Sequence, residues 1–227
     1  MRPIAIFYHC LFYLGSPPDL LENAVNIVRE QMGQLKSSGL LDACSEFLVG
    51  INGGNESREI ANLLIPSKAR IVTHGLESRA ENLTIVEIDK FVKTHPDWHV
   101  LYFHGKGASH AAGDSYGETT SKPWRIGMMQ DLVMNWRQCV KDLETHDIAC
   151  SHWMWNLADG TQHIPAGNFL WVTSNFAAKL PSFYLRERIK DDGIAALSSR
   201  YEAEVYWGNG PRPNVKSYRP NGGGGVP

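Results

Sequence analysis

Val100–His110 reads VLYFHGKGASH: four apolar, β-forming residues run through His104 into a loop bracketed by Gly105 and Gly107. An open α/β sheet binds its ligands outside the carboxyl ends of its strands, so this loop stands where chemistry is expected. The two glycines allow a tight turn and a close backbone approach. Lys106 supplies a compact positive charge, and His104 and His110 supply imidazoles beside it. The combination predicts a site for an anion, a phosphate or pyrophosphate. Its bland alternative is a surface turn carrying an exposed lysine.

Working outward, the segments on either side alternate. Ile4 to His9 is a short buried strand, and Leu20 to Lys36 carries Leu21, Val25, Val28, Met32 and Leu35 at helical spacing. Glu46 to Ile51 reads as a second strand closed by Asn52-Gly53-Gly54-Asn55, and Ala69 to Thr73 as a third. Glu77 to Thr94 reads as a helix stopped at Pro96-Asp97, just before the central strand. Beyond the loop come a long helix from Trp124 to Glu144, a strand from Asp147 to Ser151, and a strand-like run from His163 to Val172. Helices from Ser174 to Leu180 and from Ser198 to Trp207 close the pattern. Strand–helix alternation of this kind predicts an α/β fold with a mostly parallel central sheet between helical layers. One domain is expected over residues 1–208, followed by a Pro/Gly-rich tail over 209–227.

Composition narrows the function classes. The chain has 227 residues, 43% hydrophobic and 20% charged, which suits one domain with a sizeable core. A formal net charge of -2 gives no field for nucleic acid or for an anionic membrane surface. Cys10, Cys44, Cys139 and Cys150 show neither CxxC nor zinc-finger spacing and read as the reduced thiols of a cytoplasmic protein. The opening MRPIAIFYHCLFYL is superficially leader-like, but His9 interrupts it and Gly15-Ser16-Pro17-Pro18 reads as a loop after a strand. No apolar run reaches the roughly 18 residues of a membrane span, so no transmembrane segment is expected.

The remaining motifs each have two readings. His104-Gly105-Lys106-Gly107 lacks P-loop spacing, and no GxGxxG follows the first strand. HExxH and Asp-x-Asp are also missing, so neither a cofactor nor a local metal site is called for. A divalent site assembled from distant carboxylates would leave no such pattern. Trp124-Arg125 at a helix start holds either an anion or a solvated arginine. In Gly167-Asn168-Phe169-Leu170-Trp171, Asn168 is able to donate and accept and Trp171 to stack on a sugar; the alternative is a packed core strand. Glu202 and Glu204 point to different faces of a helix, leaving Glu204 as either a substrate-facing or a solvated carboxylate.

Taken as an ordered set, several segments resemble a family. They are Tyr102-Phe103-His104-Gly105-Lys106, Trp124-Arg125, Gly167-Asn168-Phe169-Leu170-Trp171, Leu180-Pro181 and Arg200-Tyr201-Glu202-Ala203-Glu204. Together they resemble bacterial glycosyltransferase-like proteins related to those of rhamnan and cell-surface polysaccharide synthesis. The sequence departs from that pattern at Leu170, where an aromatic is common, and at Gly105, where Thr is commoner. The resemblance implies a GT-A-like, Rossmann-related three-layer sandwich that transfers a sugar from a nucleotide-sugar donor to a glycan acceptor. On the transferase reading, Tyr8 and His9 border the base, His104, Lys106 and Arg125 hold the diphosphate, and Asn168 and Trp171 position the sugar. Glu204 becomes the candidate catalytic carboxylate. A basic loop in place of Asp-x-Asp implies that leaving-group charge is met without metal. The competing expectation is a non-catalytic nucleotide- or glycan-binding module of the same fold.

Overall fold

The computed structural model describes residues 2–12, 18–75, 81–155, 163–183 and 202–219. Strand β1 (Ile4–Leu11) is apolar on both faces: Ile4, Ile6, Tyr8 and Cys10 enter one core, and Ala5 and Phe7 the other. A strand buried on both sides belongs in the middle of a covered sheet. It pairs in parallel with β2 (Glu46–Asn52) and with β4 (His99–His104), and β2 pairs in parallel with β3 (Ala69–Gly75). Beyond β4 lie β8 (Leu170–Thr173), β5 (Ile148–Cys150) and β9 (Val215–Ser217), giving the order β3-β2-β1-β4-β8-β5-β9. Only β8 runs against its neighbours.

Helical layers cover both faces, so the expected three-layer α/β architecture is the one observed. On one face α1 (Pro18–Ser37) buries Ala24, Ile27, Val28, Gln31, Met32 and Leu35, a stripe with the period of a helix. It shares that core with α5 (Lys122–Met129) and α6 (Trp136–Asp142). On the other face lie α4 (Asn82–Thr94), α7 (Ser174–Ala177) and α8 (Glu202–Tyr206). Two smaller elements are α2 (Leu40–Ala43) and a separate ribbon of β6 (Trp153–Trp155) with β7 (His163–Pro165). Among the described residues, no helix is long and apolar enough to cross a membrane.

Several boundaries differ from the sequence pattern, each for a local reason. Helix α3 (Asn55–Leu64) fills a stretch without an assignment; its fully buried residues are the small Ser57 and Ala61. The helix expected from Glu77 is observed from Asn82; residues 77–80 lie outside those described. The long helix expected over 124–144 is segmented: π-helical turns at Gly117–Ser121 and Gln130–Met134 flank α5, and Asn135 leaves helical geometry at φ -99°, ψ 22° before α6. The run from His163 to Val172 splits into β7 and β8 because Gly167 and Asn168 take positive φ, 81° and 55°. The helix expected to Leu180 is a single turn, α7, capped by the Thr173 hydroxyl. Residues 198–201 of the last expected helix lie outside those described.

Part of the segment read as a tail is sheet. β9 is an edge strand beside β5, and the residues after it are tied down. Tyr218 donates its hydroxyl to Asp142 (2.8 Å), and Arg219 Nε donates to Asp131 (2.8 Å).

Gly50 shows how tightly α4 sits on the sheet. It lies at a register shift between β2 and β3, and a Cβ there would fall 1.9 Å from Thr84 Oγ1 and 3.1 Å from Thr73 Cγ2. Thr84 is fully buried and has nowhere to go. Gly50→Ala is therefore expected to lose about 1–3 kcal/mol by overpacking, read as a fall in the urea midpoint with an unchanged slope. An unaltered midpoint would mean that α4 does not press on β2.

Candidate functional site

The chain leaves β1 toward β2 on one side, while the strands beyond β4 lie on the other. The crevice between the carboxyl ends of β1 and β4 is thus the switch point of the sheet, the place where open α/β sheets take their ligands. His9 and His104 are paired in register across it, and Gly105 donates its N–H to the His9 carbonyl (3.1 Å). Strand alternation points both imidazoles to the α4 face, opposite to Tyr8.

Helix α1 builds the loop that follows. Gln31, fully buried on the apolar stripe of α1, accepts from the Tyr8 hydroxyl (2.7 Å) and donates to the His104 carbonyl (3.0 Å). Asn23 Nδ2 donates to the carbonyls of Gly107 (3.1 Å) and His110 (2.8 Å). Arg125 reaches over from α5: its Nη1 donates to the Lys106 carbonyl (2.9 Å), and its Nε and Nη2 form a bidentate pair with Glu30. Gly107 needs its lack of a side chain, since its φ is 92° and a Cβ would meet Arg125 Nη1 at 3.2 Å. Gly105 carries no such requirement; a Cβ there meets nothing closer than 3.6 Å.

On the α4 face the centre of the site is a carboxylate that sequence reasoning passed over. Glu81 immediately precedes α4 and accepts from the Tyr102 hydroxyl (3.0 Å) and from Asn168 Nδ2. Its Oε1 lies 3.5 Å from His104 Nδ1. Asn168, held in the left-handed region and fully buried, uses its other end to accept from Trp207 Nε1 (2.8 Å). His104 Nε2 meets the Gly167 carbonyl at 2.9 Å, so the turn that splits β7 from β8 also fixes this ring. His9 Nδ1 sits 2.8 Å from Thr84 Oγ1, and His9 Nε2 is buried with no hydrogen-bond partner among the described residues.

Burial sets the charge states here. It lowers His9 to about 4, against an upward pull from Glu81 and a further downward push from His104. His104 is also lowered, first by burial, with Glu81 pulling it up and Lys106 pushing it down. For Glu81, burial acts to raise the carboxyl, but His104, His9 and the bonds from Asn168 and Tyr102 outweigh it and leave it lowered. Burial thus works against charge on both imidazoles, while the imidazoles and the two donated hydrogen bonds favour the charged form of the carboxylate.

The structure brings some of the expected residues together and spends others on the fold. His9, His104 and Asn168 surround Glu81, and Glu204 is close enough to raise the Tyr102 phenol. Lys106 follows in the loop with its ammonium 4.4 Å from the centre of the Trp124 ring, a cation–π contact. Tyr8 and Trp171, by contrast, are wholly buried; the Trp171 indole donates to the Leu132 carbonyl (2.8 Å), and neither ring offers a face to a ligand. Arg125 is buried, and its charge is met by Glu30. Helical turns precede it from Gly117, so it does not stand at a free helix N-terminus. Among the described residues, no group of three His, Cys, Asp or Glu side chains is placed to hold a metal ion.

Two of the overlooked residues differ in how visible they were. Gln31 is a polar residue on the buried stripe of α1, and that conflict could have marked it. Glu81 is one charged residue in a polar stretch, and no local signal separates it from its neighbours.

Residues 7–175, which enclose the switch point, the loop and the Glu81 cluster, match the model of a domain of unknown function, DUF8361. The chain belongs to that family. Glu204 and Trp207 lie beyond the matched segment. No curated protein matches the chain in sequence. Among solved structures it is similar to a protein assigned as a nucleotide-diphospho-sugar transferase from Desulfovibrio desulfuricans G20. That likeness has 12% identity and a TM-score of 0.46, over 97% of this chain and 81% of the other. It is also similar to the 4-diphosphocytidyl-2C-methyl-D-erythritol synthase of Anaerococcus prevotii, at 11% identity and a TM-score of 0.44, over 95% of this chain and 86% of that one. The fold assignment for this DUF8361 member rests on its own strand order and register. Neither likeness bears on rhamnan synthesis.

Proposed function

We propose that this protein is a nucleotide-sugar-dependent glycosyltransferase whose donor lies in the crevice between β1 and β4. The observation that carries the reading is the in-register pair His9 and His104 at the switch point, followed directly by the Lys106 loop. In this reading Lys106 offsets the charge of the diphosphate, and the backbone of residues 105–108 approaches it closely. His104, Asn168 and Glu81 line the side toward the sugar, and Glu204 stands nearby as a second carboxylate. The acceptor is a glycan, and the reaction takes place in the cytoplasm without an Asp-x-Asp metal. The rhamnan-like motif order supports glycosyl transfer over other uses of a nucleotide sugar.

A second reading is favoured by a specific finding: Tyr8, Trp171 and Arg125 are committed to packing and to an internal ion pair. That favours a binding module of the same fold without turnover. Release of nucleoside diphosphate from a bound donor separates the two, since only the transferase produces it.

The donor site itself is tested by thermal stabilisation with nucleoside diphosphates and nucleotide sugars, with and without manganese. A ligand at 100 times its Kd stabilises the folded state by about 2.7 kcal/mol. The expected result is a metal-independent rise in the midpoint that disappears in Lys106→Ala while the ligand-free midpoint holds. No rise with any nucleotide would overturn the donor-site reading.

A further inference from the structure

His110 lies at the end of the Gly-bracketed loop, and the donor-site reading leaves it without a role. Its carbonyl is held, together with that of Gly107, by the side-chain amide of Asn23 on α1. Its ring is held as well: Nδ1 lies 3.0 Å from Asp114 Oδ2, and the Tyr116 ring packs on the imidazole with 5.2 Å between centres. Asp114 is fixed in turn. The same Oδ2 accepts from the Gly117 N–H (2.9 Å), and the Asp114 carbonyl accepts from the Glu118 N–H (2.9 Å). Gly117 opens a π-helical turn, a feature frequent at functional sites. A Cβ there would stand 3.1 Å from His110 Cβ and 3.5 Å from Asp114 Oδ2, so the pair packs directly on this backbone.

A surface ion pair four residues apart is ordinarily loose. This one is anchored at both residues, and by groups from α1 and the π-helical turn. A carboxylate oxygen only accepts, so the hydrogen between Nδ1 and Oδ2 belongs to Nδ1, and in the neutral ring Nε2 keeps its lone pair. The His110 side chain keeps 28% of its surface open, and Nε2 makes no hydrogen bond among the described residues. An imidazole oriented by a carboxylate through Nδ1, with Nε2 open, is the arrangement of a general base.

We propose that His110 is the general base of the transfer and that Asp114 is the residue that positions it. The inference rests on the donor-site reading above, in which Lys106 of the same loop meets the diphosphate. Nε2 takes the proton of the acceptor hydroxyl as that oxygen bonds to the anomeric carbon of the donor sugar. The bond from this carbon to the diphosphate breaks, and its electron pair leaves with the diphosphate. The imidazolium formed is paired with Asp114, and attack opposite the leaving group inverts the anomeric centre. The role thus passes from Glu204, the carboxylate singled out in the sequence, to an imidazole.

Water serves as the acceptor in the test, so the glycan need not be known. Calorimetry selects the tightest binder among UDP-glucose, GDP-mannose and dTDP-rhamnose, and release of its nucleoside diphosphate is then followed. His110→Ala is expected to slow release by roughly 10²–10⁴-fold with the donor Kd unchanged, and added imidazole is expected to restore part of the rate. Release at the unmutated rate would overturn the base and leave the transferase standing. A loss that appears as weakened donor binding and that imidazole does not restore would make His110 part of the loop's scaffold, and would also overturn it. Binding without release in the unmutated protein would overturn the base and leave the donor site standing; no binding would overturn both. Asp114→Asn decides should His110→Ala fail to fold. Its amide carbonyl still accepts from Gly117, while its N–H faces Nδ1 and drives the ring hydrogen onto Nε2. Release must then fall with binding unchanged, and an unaltered rate would sink the proposal.

Discussion

Acidification from pH 7 to pH 4 is expected to remove about 3 kcal/mol of folding stability through His9 alone. The ring is buried in the native state and lowered to about 4, whereas an unfolded chain binds its proton near 6.5. Between those values the unfolded state holds more protons than the folded one, so stability rises with pH there. The contribution is complete above 6.5 and is lost as pH falls toward 4. His99, lowered to about 4 by burial and then by Arg2, acts in the same direction. So does Glu81, whose lowered carboxyl favours the folded state until it is protonated. Urea midpoints measured at pH 7, 5 and 4 should fall steadily with little change in slope. A flat profile down to pH 5 would show that neither imidazole is held neutral in the native fold.

The second large effect is expected at Arg125. Methionine there removes the guanidinium that pairs with Glu30 and that holds the Lys106 carbonyl. Breaking one side of a buried ion pair costs about 3–5 kcal/mol, chiefly by leaving the other charge uncompensated. Glu30 keeps a third of its side-chain surface in water, so the lower end of that range is expected. Hydrogen exchange at the amides of residues 106–110 should speed up with the loss of the clamp. Glu30→Gln combined with Arg125→Met should recover part of the stability but none of the loop protection, because only the stranded charge is relieved. If Arg125→Met left exchange in the loop unchanged, Asn23 and Gln31 would be holding it by themselves.

These two residues show where sequence reasoning reached and where it stopped. Arg125 is legible as a cation at the start of the helix after the loop, and its Nη1 donates to the Lys106 carbonyl. Whether its charge serves a ligand or an internal partner depended on Glu30, 95 positions away on another helix. His9 was visible as a polar break in an apolar strand. Its neutral state follows from burial, with His104 adding to it and Glu81 opposing it, and neither of those residues lies near it in the chain. Tyr8 and Trp171 had the chemistry of ligand contacts, yet strand alternation turned both into the core. Part of that was legible, since Tyr8 and His9 are consecutive in one strand and must face opposite sides.

What the sequence determined by itself is the kind of fold and the location of its polar end. Doubly apolar strands such as Ile4–Leu11 demand cover on both faces, helices with a clear buried stripe supply it, and a Gly-bracketed Lys and His after such a strand must lie at its carboxyl end. Those are local properties of periodicity and backbone freedom. Only the tertiary structure decided which polar groups meet there. Register set His9 opposite His104, the left-handed turn at Gly167 and Asn168 fixed the tautomer of one ring and the partner of Glu81, and α1 reached back to hold the loop. Hydrogen bonds of a few ångströms between residues tens of positions apart carry no signature in composition or period, because they exist only once the layers have packed.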